Sequence, residues 1–467
     1  MNKTTLLTTL VLVCTALFWS LVPVGCANII PPQGGPRDSL PPRLVHASVP
    51  DSSVNFRASR VTLTFDEYID LKDVQSNLLF TPTFENNPVI EARGRTITIR
   101  FRDSLERNTT YVMNFGNAII DLNESNALRN FTYTFSTGPR LDSLHVSGRV
   151  QLAETGGTDS TMIALLHRHL NDSAVVKERP LYVVRLDREG RFEFRNLPAD
   201  TFAIYILGDA GFSRRYQNKT QLFAFANAPV VAGRTDSLLL YAYRETPVAA
   251  AANPLAAGSQ RIPANDRRLR MAAATQGPQD LLTDYVLNFP VPLRTFDSAR
   301  LHLSTDSTFT PASFTARLDS TRRELRIRSN WKENTKYNLV LEKEFGADTT
   351  GRQLLKTDTL FFATRKSGDY AQINITIRNL DTARNPVLQF IQNNAVVYSA
   401  PVRSGRFQRD LFLPGEYDLR ILYDTNGNGK WDPGHFFGTK RQPEIAEPIG
   451  DKIKVTANFE NEFTLTR

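Results

Sequence analysis

The sequence predicts an all-β chain of tandem β-sandwich domains. Three observations carry that expectation: period-two alternation of apolar and polar residues, a scarcity of amphipathic helical stretches, and two interleaved internal repeats. Alternation is plain in Val61-Thr62-Leu63-Thr64-Phe65, in Thr96-Ile97-Thr98-Ile99-Arg100-Phe101 and in Phe131-Thr132-Tyr133-Thr134-Phe135. A strand with this pattern buries one face and wets the other. Residues 71–79 read as one or two helical turns between strands.

The repeats set the organisation. Leu63-Thr64-Phe65, Glu106-Arg107-Asn108-Thr109-Thr110-Tyr111 and Phe135-Ser136-Thr137 return in order as Leu287-Asn288-Phe289, Lys332-Glu333-Asn334-Thr335-Lys336-Tyr337 and Phe362-Ala363-Thr364. A second set, Gly190-Arg191-Phe192, Leu197-Pro198, Ile206-Leu207 and Asp209, returns as Gly405-Arg406-Phe407, Leu413-Pro414, Ile421-Leu422 and Asp424. The expected order is A-B-A′-B′: A over residues 40–138, B over 141–245, an Ala- and Pro-rich linker over 246–266, A′ over 267–365 and B′ over 368–467. All-β modules of about 100 residues are a common size. The repeated residues have structural roles in this reading. Leu-Pro makes a turn, Gly before Arg-Phe a tight bend, and Asn-Thr-Thr-Tyr sends its ring into the sandwich.

At the N-terminus one charge, Lys3, precedes an apolar run over residues 6–24 that closes in Gly25-Cys26. Residues 1–25 therefore read as a signal peptide and residues 26–39 as a tether. Gly25-Cys26 resembles the bacterial lipobox, with Pro23 where that motif usually carries leucine; the resemblance implies lipidation of Cys26. Cys14 competes poorly, because the branched Val13 precedes it. Both cysteines fall in this region, so disulfides and cysteine metal sites are excluded from the body of the chain. The formal charge is +8 and the pI near 9.4, yet Lys and Arg are interspersed with Asp and Glu. That excludes a nucleic-acid reading and suits a face near anionic lipid or polysaccharide.

These residues carry a family resemblance. The Pro41-Pro42-Arg43 opening, the Leu-Thr-Phe-Asp strand, the Asn-Thr-Thr-Tyr edge and the closing Phe-Ser-Thr-Gly resemble the SbsA-type bacterial Ig-like domain, in A well and in A′ divergently. The B repeats resemble transthyretin-like and carboxypeptidase-regulatory-like sandwiches. With Cys26 and the Gly-Gly-Pro-Arg-Asp tether, the chain is similar to Ig-like domain lipoproteins of Gram-negative bacteria. The resemblance implies a cell-envelope, outer-membrane lipoprotein. No acidic cluster follows Cys26, which favours the periplasmic face and leaves the surface face open.

The most specific chemistry lies in Asp424-Thr425-Asn426-Gly427-Asn428-Gly429-Lys430-Trp431-Asp432, which resembles a calcium loop. A hard cation needs several oxygens converging around a glycine bend. Asp424, Asn426, Asn428, the Lys430 carbonyl and Asp432 are placed to supply them, but His435 stands where an EF-hand carries glutamate. The alternative is a plain Asn-Gly turn. In B, Gly208-Asp209-Ala210-Gly211 lacks these ligands.

His167-Arg168-His169 reads as a solvated strand face rather than a metal site, and the acid pair Asp66-Glu67 has no assigned glycosidase role. Asp followed by Ser or Thr and then an apolar residue or Thr recurs at Asp38, Asp103, Asp142, Asp159, Asp172, Asp236, Asp297, Asp306, Asp319, Asp348, Asp358 and Asp381. This resembles an O-glycosylation sequon of one Gram-negative phylum; the alternative is a set of turn starts. The expected function is a non-catalytic scaffold or interaction module, held to the membrane by its lipid, with a protein or polysaccharide partner. The rivals are a carbohydrate- or peptide-binding accessory subunit of an outer-membrane complex and, behind it, a hydrolase.

Overall fold

The structure is a computed structural model that describes residues 3–20, 38–235, 237–246, 268–275, 277–305 and 308–467. Cys26, linker residues 247–266, Asp236 and Asp306 lie outside the described residues. The leader forms a helix over Lys3–Ser20, with Leu7, Leu10 and Leu12 exposed. Among the described residues, no helix is long and apolar enough to cross a membrane. Of the expected helical turns between strands, Val74–Asn77 forms. The body is otherwise tandem β-sandwiches.

The first sandwich packs a four-stranded sheet, in the order Leu44–Ala47, Arg60–Phe65, Thr96–Arg100, Val89–Arg93, against a three-stranded sheet of Leu79–Thr81, Thr110–Gly116 and Phe131–Ser136. Val61, Leu63, Phe65, Ile97, Ile99, Met113, Phe115, Tyr133 and Phe135 meet between them, as alternation requires. The same order returns later. Ala272–Ala273, Tyr285–Asn288, Glu324–Ser329 and Phe314–Leu318 form one sheet, and Thr310–Pro311, Leu301–Thr305, Lys336–Leu341 and Asp358–Ala363 the other.

The repeated Asn-x-x-Tyr signature has a physical account. Asn108 and Asn334 sit in the left-handed region, at φ 53° and 48°, which asparagine tolerates. Two residues of chain then carry the strand to Tyr111 or Tyr337, whose ring is buried and whose hydroxyl accepts the backbone N–H of Glu106 (2.9 Å) or Lys332 (3.0 Å). The threonine of Phe-x-Thr closes the turn: the Thr137 hydroxyl accepts from Thr109 N (3.0 Å), as Thr364 does from Thr335 N (3.0 Å). Buried polar groups are thus paired within one turn.

The two B-type sandwiches also share a topology. Arg191–Leu197, Leu144–Leu152 and Leu238–Ala242 make a three-stranded sheet, the last pair parallel; Arg406–Phe412, Ala371–Arg378 and Glu460–Thr466 repeat it. The opposing sheets are five-stranded, centred on Met162–His167 with Thr201–Gly208, and on Pro386–Gln392 with Gly415–Tyr423. Gly190, at φ 77°, is required because a Cβ there would run into the Val150 carbonyl oxygen, whose own residue bonds back from Val150 N to Gly190 O at 2.8 Å. Gly405 repeats this at φ 70°, with Ile377 N to Gly405 O at 2.8 Å.

Several Asp-Ser and Asp-Thr positions are turn starts. The carboxylates of Asp159, Asp297, Asp319, Asp348 and Asp381 each accept the N–H two residues on, at 2.8–3.1 Å. Neighbouring sandwiches are tied by hydrogen bonds to backbone groups. Thr83 N donates to Leu181 O (2.8 Å), Arg179 reaches the carbonyls of Phe84 and Glu85, and Leu281 N donates to the Tyr370 hydroxyl (2.7 Å).

Candidate functional site

The central strand Met162–His167 is buried at every position, and Phe202 to Leu207 in its neighbour are too. A strand buried on both faces needs a cover outside the sandwich. Ile163, Leu165, Tyr205, Leu207, Phe223 and Phe225 form that outer face; Val175, Tyr216 and Tyr243 of the same sandwich and Leu79 of the first pack with it, and a loop of the last sandwich covers its aromatic part.

The loop's tip is Phe436, only 2% exposed. Its ring centroid lies 4.9 Å from Phe225, 5.0 Å from Phe223 and 5.6 Å from Tyr205, while Phe437 reaches Tyr216 at 5.5 Å. These are favourable aromatic separations. Gly434 permits the approach, because a Cβ there would stand 2.6 Å from Tyr243 Cζ. Polar groups fix the rim. Gln442 Nε2 donates to Phe225 O (3.1 Å) and Asn227 Oδ1 (2.8 Å), His435 Nδ1 lies 2.7 Å from Glu245, and Lys440 pairs with Asp172 at 2.5 Å. Ala446 N donates to Ala153 O (2.7 Å), and the buried Arg420 donates to Glu154 O.

The predicted calcium loop is the stem of this wedge. Asp424 is 2% exposed; its Oδ1 accepts Gly427 N (2.7 Å) and its Oδ2 Gly429 N (2.6 Å), with both glycines at φ 74°. Asn426 Oδ1 accepts Asn428 N (3.0 Å), and Asn428 Oδ1 accepts Lys430 N (2.7 Å). The two side-chain amides donate to Asp432 Oδ2, at 2.6 and 2.7 Å. The structure therefore brings Asp424, Asn426, Asn428 and Asp432 together in one hydrogen-bonded turn. Each amide oxygen keeps a second lone pair, so an ion at the centre would need Asp432 to exchange its two amide donors for the cation. Among the described residues, no three His, Cys, Asp or Glu side chains converge as a metal set, so a cation would lean on amide and carbonyl oxygens.

Sequence reasoning missed Glu444. This buried carboxylate accepts Thr425 N (2.7 Å), Thr425 Oγ1 (2.6 Å) and Asp432 N (3.1 Å), and its backbone N–H donates to Asp432 O (3.0 Å). The Trp431 indole donates to Glu444 O at 2.7 Å. Glu444 clamps both ends of the loop from beyond the wedge, and no contiguous motif could have reached it.

His167 differs from its expected solvated position. The strand ends there, so alternation stops, and only His169 is exposed, 2.7 Å from Glu178. His167 is 1% exposed, edge-on to Tyr205 at 5.6 Å, with Nε2 lacking a hydrogen-bond partner. Burial lowers its pKa from 6.5 to about 4, against the pull of Glu178 and with the help of His169. Neither Trp331 nor Trp431 offers a flat platform for a sugar ring: Trp331 is buried, donating to Thr283 O at 2.9 Å, and Trp431 packs under the wedge. Asp66 accepts Arg43 N at 2.7 Å, and burial with Asp121 and Asp66 raises the Glu67 pKa.

Two outcomes follow. Truncating a buried phenylalanine typically costs about 3–5 kcal/mol. If a specific protease site is inserted between the halves, the cleaved fragments should co-elute on gel filtration, and Phe436→Ala should separate them; equal co-elution in both proteins would show that the wedge contributes no affinity. For His167 the folded pKa is depressed, so the unfolded chain binds the proton more readily. Stability should fall as pH drops from 6.5 to about 4, by up to roughly 3 kcal/mol. Urea denaturation across that range should show a shallower slope in His167→Phe; an unchanged slope would assign the effect elsewhere.

No curated protein matches the chain. Similar solved structures include the N-terminal part of the bacterial S-layer protein SbsC, at 12% identity over 44% of this chain and 44% of that one, with a TM-score of 0.16. Another is BcpA, the major pilin subunit of Bacillus cereus, at 10% identity over 69% and 98%, TM-score 0.16. A third is the Bacillus anthracis TIE protein, at 8% identity over 93% and 76%, TM-score 0.18. The chain thus spans less than half of the SbsC fragment. The first sandwich, over residues 38–137, matches the bacterial Ig-like domain family.

Proposed function

We propose that the chain is a non-catalytic, lipid-anchored scaffold or interaction module of the bacterial cell envelope, folded back so that its last sandwich clasps its second. The Phe436 wedge carries this reading, since it joins two sandwiches into one body where free spacers would leave an aromatic face wet. The Ig-like match supports an extracellular or envelope setting. In this proposal A′ is a second, divergent Ig-like domain, the B units are transthyretin-like, Cys26 holds the lipid at the outer membrane, and the partner is an envelope protein or polysaccharide.

The anchor is tested by fatty-acid labelling. Cells expressing the protein should incorporate label, and Cys26→Ala should abolish it and release processed protein or leave precursor; label retained by Cys26→Ala would refute the anchor.

The loop stem adds a calcium proposal: Asp424, Asn426, Asn428, the Lys430 carbonyl and Asp432 take a calcium ion, making the clasp firmer where external calcium is high. With two carboxylates and neutral oxygens, affinity is expected at about 10⁻⁴–10⁻³ M. Millimolar calcium should raise the melting temperature of the full chain, because a ligand favouring the native state stabilises it, and Asp424→Ala should remove the rise. A calorimetric titration without heat, and no thermal shift, would leave the loop as a turn.

A further inference from the structure

A cleft of about 620 Å³ separates the first sandwich from the second. One wall is the outer face of the first sandwich's three-stranded sheet, which presents Thr81, Asn114 and Thr132. The other is the edge of the second sandwich, where strand Tyr182–Arg185 and residues 193–196 come to the opening. The acids on this side are already answered: Asp187 is bound by Arg191 at 2.8 Å and Glu193 by Arg195 at 2.7 Å.

Arg185 is not answered. It stands opposite Ile163 at the end of its strand, lines the cleft, and makes no hydrogen bond or salt bridge among the described residues. Arg214 lies within electrostatic reach, half-buried and equally without a side-chain hydrogen bond or salt bridge. Its backbone is held at φ 54° by the Asp209 carboxylate, which accepts Ser213 N at 2.8 Å and Arg214 N at 3.1 Å. Arg179, the third cation of the group, spends its guanidinium on the Phe84 and Glu85 carbonyls. Burial lowers the pKa of the half-buried Arg214; Asp209 opposes this, and the neighbouring Arg179 and Arg185 add to it. Arg185, an exposed guanidinium on the cleft wall with no counter-ion among the described residues, favours an incoming anion.

We propose that this cleft binds an acidic oligosaccharide, with Arg185 gripping a carboxylate, Arg214 reinforcing the positive field, and the amide and hydroxyls of Asn114, Thr81 and Thr132 meeting sugar hydroxyls. The polar lining fits a hydroxylated ligand better than an apolar one, and a planar guanidinium matches a carboxylate bidentately. This site is separate from the calcium loop and from the lipid anchor.

The test titrates the full chain with oligogalacturonate, with a neutral malto-oligosaccharide of equal length and with inorganic sulfate, by calorimetry. Oligogalacturonate should bind and the neutral sugar should not. Arg185→Met, which keeps the stem, should weaken binding about ten-fold or more at an unchanged melting temperature, and Arg214→Met should weaken it less. Arg384→Met, on the Tyr423 ring of the last sandwich, should bind as the parent does. Absence of heat with oligogalacturonate, equal binding of the neutral sugar, or an Arg185→Met protein that binds normally would overturn the proposal. Sulfate binding as tightly as the oligosaccharide would overturn it too, reducing the site to a bare anion hole.

Discussion

The Phe436 ring among Tyr205, Phe223 and Phe225 is the contact on which the arrangement of the chain depends. A β-sandwich needs only one apolar face per sheet, and the outer faces of most sheets here are polar. The second sandwich breaks that rule, because its central strands are apolar on both sides. Left uncovered, the outer face would present aromatic rings to water, a surface that invites association with whatever is nearby. An intramolecular cover resolves this at a high effective concentration, since both parties belong to one chain. The last sandwich has its own second apolar face, smaller, where Val387, Leu422 and Ala446 pack with Trp431 beneath the same loop.

The loop divides its labour between stem and tip. The tip is aromatic and supplies burial; the stem is almost wholly polar and supplies shape. Asp424 gathers the glycine N–H groups, Asp432 gathers the asparagine amides, and Glu444 ties the two ends. Such a network is costly when half satisfied and rigid when complete. Its completeness is what holds Phe436 at a fixed height above the sheet, and the rim bonds from Gln442 to Phe225 O and Asn227 set its orientation. Packing supplies the energy and the polar groups supply register, a division also familiar at protein interfaces.

Most of the fold was legible in the sequence because its causes are local. Alternation fixes which face of Arg60–Phe65 is buried, and Asn108, Asn334, Gly190 and Gly405 announce backbone conformations that other residues resist. The continuous apolar run Met162 to Leu166 could be read as doubly buried, but nothing local says what covers it. The covering loop bonds to its seat across 217 residues of sequence. Glu444 was illegible for the same reason: a carboxylate that closes a loop from outside it leaves no spacing to count. His167 was misplaced because two imidazoles two residues apart imply one shared face only while the strand continues, and this strand stops at the first of them.

The repeat itself shows where such a chain puts its specificity. Asp209 and Asp424 occupy the same place after equivalent central strands, and both carboxylates do the same work, collecting backbone N–H groups of the loop that follows. The sandwich beneath is conserved between the copies in strand order and in the parallel pairing of its terminal strand. What differs is the cargo. In the second sandwich the loop is shorter and ends its turn at Arg214, half-buried over Asp209; in the last it lengthens, turns on two glycines and delivers Phe436 into an aromatic seat. A rigid scaffold with a fixed carboxylate at the loop's base can change the chemistry it presents without changing how it folds. One copy thereby keeps a basic side chain on its loop, and the other uses its loop to hold the molecule closed.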